Sequence, residues 1–417
     1  MIQAEEGVPS SRILQLTVDG TINPIVADYI EQGIERGEKE GFSAVVIQLD
    51  TPGGLDTSMR TIVKAMEESG VLVIVYVAPS GARAASAGVF IMLASHVAAM
   101  SPGTNLGAAH PVAMGGEKMD ETMSKKVEHD AAAYIRGIAE KHGRNAEWAE
   151  KAVRESVSIT AEEAVKINVI DYVASSLPEL LEKIDQKEIP LGNQKSILQT
   201  KGAEIVLQEM GLRHRVLNTL SDPNIAYILM MIGMWGLFFE LSNPGAIFPG
   251  VIGGISLILG LVALQTLPIN YAGILLILLG VILFIAEIKI VSYGFLTIGG
   301  IICLTLGSLM LFNSGVPGFQ LSLKVVAAVV GATTLVMGTG IFLAITSQRR
   351  RVRTGVEGLI GERGTVREKL DLQGKVFLHG ELWNAVSSEP IEQGVSVKVI
   401  AVEGMVLQVE RTQGGLK

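Results

Sequence analysis

The feature that most constrains this chain is a long segment, Asn224 to Thr346, that is nearly free of charged residues. About 20 apolar residues cross a bilayer as one helix, so this segment has room for several crossings. The chain has 417 residues, is 48% hydrophobic and only 18% charged, and has a mean hydropathy of +0.42, too apolar for an ordinary soluble protein. The sequence therefore predicts a multi-pass membrane protein with polar parts on either side of the membrane region.

The apolar segment divides into five predicted spans by its runs of apolar residues. These are Ile225–Phe239, Phe248–Leu267, Ile274–Ala286, Phe295–Phe312 and Leu323–Ile345. Because the first and third are short, four spans with a re-entrant piece is the alternative. Small residues favour close helix packing, and they recur here at Gly253-Gly254, Gly260, Gly299-Gly300 and Gly307.

The flanks of this segment predict its orientation. Arg349-Arg350-Arg351 and Arg353 follow the last span, which by the positive-inside rule puts that end in the cytoplasm. Five spans then put the first domain outside. The residues Met1 to Arg12 lack the apolar run of ~7–15 residues that a signal peptide needs, so this orientation predicts that an export signal has been removed. The basic run Arg213-His214-Arg215 is predicted to lie along lipid headgroups.

Three domains are expected: an α/β domain over residues 1–210, a membrane region over 211–347 and a small β domain over 355–412. The only cysteine is Cys303, so an intramolecular disulfide is excluded. A net charge of −8 argues against nucleic acid as the main partner.

Apolar strands and amphipathic helices alternate through the first domain, which predicts a mainly parallel sheet with right-handed crossovers. The predicted strands are Ile13–Val18, Ala44–Leu49, Val71–Val77 and Val97–Met100, and the predicted helices are Pro24–Glu40, Asp56–Glu68 and Ala85–Ala94. Functional loops of such sheets gather beyond the carboxyl ends of the strands.

Two loops emerge together at that edge. One contains Ser86 at a strand-to-helix turn, where unpaired N–H groups and the helix dipole stabilise developing negative charge. The other is Asp50 to Gly54, in which Gly53 and Gly54 let the backbone approach a substrate carbonyl closely. With the Ala87 N–H these two amides predict an oxyanion hole opposite Ser86. The alternatives are a helix N-cap for Ser86 and a tight turn for the glycine pair.

At these residues the sequence resembles the membrane-bound serine proteases of the NfeD family. The resemblance is carried by DTPGG at Asp50–Gly54, GARAASAGVFI at Gly81–Ile91 and MSPGTNLGAAHP at Met100–Pro111, and it continues through Ala133–Ala174, Glu240–Ile255 and the tail. It implies a Clp-protease/crotonase fold, Ser86 as nucleophile, Gly53, Gly54 and Ala87 as oxyanion donors, and a lysine as general base.

The general base is the point at which this sequence departs from the family pattern. The family's lysine lies in the helix predicted over Glu128–Lys141, and the matching position is Arg136, which cannot be deprotonated at neutral pH. Lys126 when desolvated, His129, or Lys125 are the substitutes. We favour Lys126, because the resemblance implies a lysine. The alternative for all four residues is a solvated helix face.

Two further segments bear on the site. Met114–Met123 is rich in glycine and charge and predicts a mobile loop over the site, either a lid or an ordinary exposed connection. His110 is another candidate base, although a lone loop histidine is more often structural.

The tail, Gly355–Arg411, alternates apolar and polar residues with glycines at the turns, which predicts a small antiparallel barrel of about five strands. The resemblance implies an OB-fold. Its negative charge and two aromatic residues, Phe377 and Trp383, do not suit nucleic acid, so a protein-interaction role is favoured.

The sequence thus predicts a membrane-anchored serine endopeptidase without cofactor or metal. The resemblance implies a stomatin/flotillin-type partner, whose apolar segment is the substrate, and a homo-oligomer is expected. The alternatives are an inactive scaffold that assembles with such a partner, supported by Arg136, and crotonase-like acyl chemistry.

Overall fold

A computed structural model describes residues 11–112, 120–192, 194–242, 245, 247–265, 267, 269–290, 292–312, 319–348 and 355–412. The first part of the chain alternates strands and helices. Its strands are β1 Arg12–Asp19, β2 Ala44–Asp50, β3 Leu72–Val77, β4 Arg83–Ala85, β5 Val97–Met100, β6 Asn105–Gly107, β7 Ser158–Thr160, β8 Tyr172–Val173, β9 Glu188–Leu191, β10 Gln194–Ile197 and β11 Glu204–Gln208. Its helices are α1 Pro24–Lys39, α2 Asp56–Glu67, α3 Ala87–Leu93, α4 Glu121–Lys141, α5 Ala146–Arg154, α6 Ala161–Lys166, α7 Leu177–Ile184 and α8 Leu212–Leu220.

Six of these strands form one sheet in the order β11-β1-β2-β3-β5-β8, and every neighbouring pair is parallel. Strands β4, β6 and β7 form a small second sheet, and β9 pairs with β10. The predicted parallel α/β sheet is confirmed. All six residues of β3 are buried, as its uninterrupted apolar run predicts.

Both faces of the sheet are covered. Along β1, Ile13 belongs to one apolar core while Leu14 and Leu16 belong to the other, because successive side chains of a strand point to opposite faces. The core of Leu14 contains residues of α1 to α6, and the core of Ile13 contains residues of α7. The carboxyl ends of the strands are therefore left as the accessible edge for functional loops.

Five apolar helices follow at the positions of the predicted spans: α9 Pro223–Ser242, α10 Ile247–Leu264, α11 Tyr271–Lys289, α12 Phe295–Leu311 and α13 Leu323–Gln348. Among the described residues, α9, α10 and the Leu323–Gly340 part of α13 are long and apolar enough to cross a membrane. The apolar stretches in α11 and α12 are shorter, 17 residues each. Helix α9 packs on α10, and α11 packs on α12, so the region contains two helical hairpins.

Glycines bring the helices of each hairpin together. A Cβ placed on Gly236 would lie 2.6 Å from the Gly253 Cα, and one on Gly307 would lie 2.8 Å from the Ile277 nitrogen. The predicted close packing is confirmed for Gly253 and Gly307. It is wrong for Gly254, whose Cβ would meet no atom within 4 Å in the described part of the chain.

The tail forms a closed barrel of five strands: β12 Arg363–Asp371, β13 Gln373–Leu378, β14 Glu381–Ser387, β15 Ser396–Glu403 and β16 Val406–Arg411. The order β12-β13-β14-β16-β15 is consistent with the predicted OB-fold. One detail differs, because β14 and β16 pair in parallel and the barrel is not wholly antiparallel. The β15–β16 hairpin closes the barrel by laying β16 beside β14 in the same direction.

Candidate active site

Ser86 lies in a sharp turn between β4 and α3. Its backbone has φ +51° and ψ −112°, a conformation that costs a non-glycine residue about 1–3 kcal/mol and persists only where the surroundings enforce it. It occupies the N-cap position of α3, but its side chain makes no capping hydrogen bond. The N-cap position given by the alternative is thus correct, but the side chain does not cap the helix. A strained strand-to-helix turn that presents a serine hydroxyl is the geometry of a nucleophile elbow.

The loop from Asp50 to Gly54 lies directly against this turn. The Ala85 N–H donates to the Thr51 carbonyl at 3.0 Å, and the Arg83 N–H donates to the Asp50 carboxylate at 3.0 Å. The predicted meeting of the two loops at one edge of the sheet is confirmed.

Gly53 passes close beside the serine, at φ +117°. A Cβ at this position would lie 2.6 Å from the Ser86 Cβ, so no larger residue fits. Its N–H donates to the Thr51 hydroxyl oxygen at 3.0 Å, and the same hydroxyl donates to the Gly53 carbonyl at 3.1 Å. The Gly53 amide is thus already paired, contrary to the oxyanion role predicted for it. Thr51, which sequence reasoning did not single out, holds the loop in this conformation.

Gly54 and Ala87 are the other two residues predicted as oxyanion donors. Both line the cavity that contains Ser86. The backbone of Gly54 packs on Ile22. The hydrogen bonds to Ile22 come from the residues on either side of Gly54: the Ile22 N–H donates to the Gly53 carbonyl, and the Leu55 N–H donates to the Ile22 carbonyl. Within the described ranges no hydrogen-bond partner is found for the Gly54 N–H or the Ala87 N–H.

The cavity has a volume of about 390 Å³. Its wall is largely apolar, with Leu55, Met59, Phe90, Val112 and Val127 among the lining residues. The polar and charged groups that line it are Ser86, Lys126, Asp56, Arg60 and Asp130. The cavity therefore combines a hydroxyl, one amine and a surface suited to apolar side chains.

Lys126 is the candidate base that shares the cavity with Ser86. It lies in the first part of α4, which begins at Glu121, seven residues before the predicted start, because Asp120 caps it by accepting a hydrogen bond from the Thr122 N–H at 2.8 Å. Lys126 is exposed and makes no ion pair with any residue that the structure describes. Of the loop predicted over Met114–Met123, residues 120–123 form this cap and first turn, and 114–119 lie outside the described residues.

The other candidate bases are engaged away from Ser86. Lys125 pairs with Glu121 at 2.7 Å, the Arg154 guanidinium donates to His129 Nδ1 at 3.2 Å, and His110 Nδ1 lies 2.9 Å from a backbone carbonyl. None of the three lines the described wall of the cavity.

Arg136 also lies outside the cavity wall. Its guanidinium binds Glu140 at 2.9 Å and Glu150 at 3.1 Å, and the hydrogen bonds to these carboxylates, Glu140 first, raise the pKa of Arg136. The structure therefore does not support Arg136 as the counterpart of the family's lysine. It lies ten residues beyond Lys126 on a different face of α4.

Leu55 connects this site to the membrane region. It follows Gly54 directly, lines the Ser86 cavity and is only 7% exposed. Its side chain belongs to the same apolar cluster as Leu220, Ala226 and Tyr227, the last two of which lie in α9. The wall of the cavity is therefore continuous with the packing of the membrane helices.

Three family models together match most of the chain. They are described as the NfeD1b N-terminal domain, the NfeD integral membrane domain and the NfeD-like C-terminal, partner-binding domain, and they match residues 12–193, 224–346 and 356–411. The membrane-bound protease PH1510 of Pyrococcus horikoshii is 34% identical over 414 residues, which cover 96% of this chain and 94% of the relative. The chain belongs to the NfeD family. It is a membrane protease of the serine type.

Other similar proteins include the membrane protein NfeD1b of Bacillus subtilis, 24% identical over 97% of this chain and 93% of the relative. A solved structure is described as the 1510-N membrane-bound stomatin-specific protease, a lysine-to-alanine variant in complex with a substrate peptide. It is 31% identical with a TM-score of 0.48, covering 51% of this chain and 98% of its own. A serine-to-alanine variant of the same protease is 32% identical with a TM-score of 0.46, covering 49% of this chain and 100% of its own.

Proposed function

We propose that this chain is a serine endopeptidase in which Ser86 is the nucleophile and Lys126 the general base. The observation that carries the proposal is that the two side chains line one cavity. Two observations support it. Ser86 makes no capping hydrogen bond in its strained turn, and Lys126 makes no ion pair with a described residue. Each side chain can therefore interact with the other or with a substrate.

In this mechanism the neutral Lys126 amine takes the proton of the Ser86 hydroxyl as its oxygen attacks the peptide carbonyl. The N–H groups of Gly54 and Ala87 donate to the oxyanion that forms. The protonated lysine then gives its proton to the leaving amine, which leaves an acyl-serine for water to hydrolyse. A peptide seated in the cavity covers Lys126 and removes its water, which favours the neutral amine that the reaction requires.

The apolar wall of the cavity supports an apolar segment as the substrate. Leu55, Met59 and Phe90 offer surface to an aliphatic side chain beside the scissile bond. A solved relative is described as specific for a stomatin homologue. We propose a stomatin-type membrane protein as the substrate of this chain, the barrel of residues 363–411 as the part that binds such a partner, and a homo-oligomer as the working form.

The membrane topology in this proposal puts the protease domain outside the cytoplasm. Helices α11 and α12 form one hairpin, so either both cross or neither crosses. With α9, α10 and α13 the number of crossings is then five or three, and the two ends of the region lie on opposite sides in either case. The basic residues that follow α13 in the sequence support a cytoplasmic barrel by the positive-inside rule. Labelling of engineered cysteines in the barrel by a membrane-impermeant reagent, with none in the protease domain, would invert this assignment.

Helix α8 supports contact with lipid headgroups directly before the membrane. Leu212 is 78% exposed and Val216, one turn later, is 49% exposed, with Arg213 and Arg215 beside them. An apolar stripe between cationic side chains suits the boundary of an anionic bilayer.

The nucleophile is tested by a fluorophosphonate probe and by peptide cleavage with the full chain in detergent or lipid. We expect the probe to label the wild-type protein and Ser86→Ala to abolish both labelling and cleavage, a loss of at least about 1,000-fold. Unchanged turnover of Ser86→Ala would dispose of the mechanism.

The base is tested by variants along α4. We expect Lys126→Met to remove activity, while His129→Ala and Arg136→Lys leave it unchanged because both residues lie outside the cavity. The rate should rise through alkaline pH, whereas a histidine base would give a rise near ~6.5. A protein that is silent toward the probe and toward peptides, yet binds a stomatin-type partner, would favour the scaffold instead.

A further inference from the structure

Arg60 joins α2, the helix that follows the loop Asp50–Gly54, to α4, the helix that carries Lys126. It lies in α2, and its guanidinium donates to Asp56 of the same helix at 2.9 Å and to Asp130 of α4 at 2.6 Å. All three side chains line the Ser86 cavity, yet Arg60 has no part in the mechanism proposed above.

Asp130 lies four residues after Lys126 in α4. Oppositely charged residues at this spacing on a helix ordinarily pair with each other. Here the carboxylate of Asp130 binds Arg60 instead, and Lys126 has no ion-pair partner in the described part of the chain.

Stacked rings support the same connection. The Arg60 guanidinium lies 4.3 Å from the centre of the Tyr134 ring, on α4. Tyr134 in turn stacks on Phe90 of α3, with ring centres 6.0 Å apart and planes 26° apart. One continuous stack therefore joins α2, α3 and α4, the three helices next to Gly54, Ser86 and Lys126.

We propose that Arg60 is a positioning residue of the protease. By binding Asp56 and Asp130 it leaves Lys126 without an ion-pair partner among the described residues, so that the Lys126 amine can become neutral and act as a base. Arg60 also fixes α4 beside the turn that carries Ser86. This proposal rests on the assignment of Lys126 as the base.

Other charged and titratable groups lie on both sides of Lys126. Asp56, Arg60 and Asp130 share its cavity, and a groove on its other side is lined by Glu121, Thr122, Lys125 and His129. Glu121 is taken by Lys125 at 2.7 Å. Helix α3 and the loop after β6 contribute only uncharged residues to the described cavity wall, namely Ala87, Phe90, Ala109, Pro111 and Val112.

Replacing Arg60 by methionine leaves Asp56 and Asp130 without their partner in the cavity that Lys126 also lines, and their negative charge stabilises the charged form of Lys126. We expect the alkaline rise of kcat/KM in Arg60→Met to move up by about one pH unit, with about a tenfold loss of rate at neutral pH. In 1 M salt, where charges are screened beyond about 3 Å, the shift should shrink by at least half. Arg60→Lys should restore part of the wild-type profile, and adding Asp130→Asn to Arg60→Met should move the rise back down.

Arg154→Met is the matched control. Arg154 also joins its helix to α4, through Glu128 at 3.1 Å and His129 at 3.2 Å, and it binds Glu150 of its own helix at 2.8 Å; none of these residues lines the described cavity wall. Its loss should leave the pH of the rise unmoved. A shift of the same size in Arg154→Met would overturn the proposal, since it would assign the effect to loosening of α4.

A second measurement does not depend on turnover. In the Ser86→Ala background, the pH dependence of Lys126 acetylation, followed by mass spectrometry, should move upward on Arg60→Met. An unmoved acetylation profile overturns the role of Arg60 and leaves the Ser86–Lys126 mechanism standing. Wild-type turnover in Lys126→Met overturns that mechanism and the role of Arg60 with it.

Discussion

Glycine lets backbones approach closely in two regions of this protein, and the two regions use that closeness differently. At the site, Gly53 stands beside Ser86 at a positive φ, and its amide and carbonyl are both bonded to the Thr51 hydroxyl. In the membrane hairpin, Gly307 lies inside a regular helix against the backbone of Ile277. The first contact is fixed by conformation and hydrogen bonds, and the second by packing alone. A change at the first therefore displaces a reacting group, whereas a change at the second separates two helices.

The largest effect is expected at the site glycine. Gly53→Ala puts a methyl group 2.6 Å from the Ser86 Cβ and demands φ +117° of an alanine. We expect peptide cleavage to fall by about 100-fold or more, because a displacement of about 1 Å in a reacting group has that effect. The rate of peptide cleavage by the full chain measures this loss, and fluorophosphonate labelling reports whether Ser86 still reacts. Wild-type labelling would mean that the closeness of the two loops is incidental.

The corresponding change in the membrane is Gly307→Ala. Its methyl group would lie 2.8 Å from the Gly273 carbonyl oxygen and from the Ile277 nitrogen, so α12 has to move away from α11. Cys303, one turn earlier in α12, is a built-in reporter. We expect its alkylation by an apolar maleimide to accelerate several-fold, with about 1–3 kcal/mol of lost stability. Catalysis should change far less than in Gly53→Ala, and a comparable loss of catalysis would contradict the difference between the two regions.

A smaller effect is expected from Thr51→Val, which keeps the shape of the side chain but removes both hydrogen bonds to Gly53. Each such bond contributes about 1 kcal/mol, and the loss of both from the transition state, about 2 kcal/mol, corresponds to about a 30-fold lower rate of cleavage. Thr51→Ser, which keeps the hydroxyl, is the control. Equal rates for the valine and serine variants would mean that packing, and not hydrogen bonding, holds this loop.

The smallest effect is expected from Gly299→Ala. Gly299 lies four residues before Cys303 in α12, as Gly307 lies four residues after it, but its Cβ would meet only the Leu283 Cδ1 at an ordinary 3.5 Å. We expect the rate of Cys303 alkylation to stay within a factor of two of the wild-type rate, an effect of a few tenths of a kcal/mol. A change as large as that of Gly307→Ala would show that any added methyl group disturbs the hairpin.

Much of the fold follows from local patterns in the sequence. The strands β1 to β3 and the five apolar helices lie where runs and periods of apolar residues predict them, because burial in a sheet or a bilayer imposes those patterns directly. The beginning of α4 does not follow from such a pattern, because its first two turns are rich in charged residues and have no periodic spacing of apolar residues. The parallel pairing of β14 with β16 depends on closure of the whole barrel, which no local pattern encodes.

Part of the candidate site could also be predicted from the sequence. Ser86 and the glycine loop come from motifs at the ends of neighbouring strands, so their meeting follows from the parallel sheet. Which face of α4 turns toward them depends on packing, and this separates Lys126 from Arg136 where spacing alone did not. The pairing of the Gly53 amide with Thr51 is a side-chain contact that glycine spacing does not indicate. Arg60 and Asp130 are 70 residues apart in the chain, and only the fold brings them together.

The position of Leu55 has a practical consequence for biochemistry. Its neighbour Gly54 is a proposed oxyanion donor, and its own buried side chain belongs to an apolar cluster that also contains residues of α8 and of the membrane helices. A truncated protein that ends before α9 loses Ala226, Tyr227 and the other membrane-helix members of the cluster that contains Leu55. Rates measured on the isolated protease domain therefore describe a catalytic loop with one of its supports removed, and assays in lipid with the whole chain are the ones that report the native enzyme.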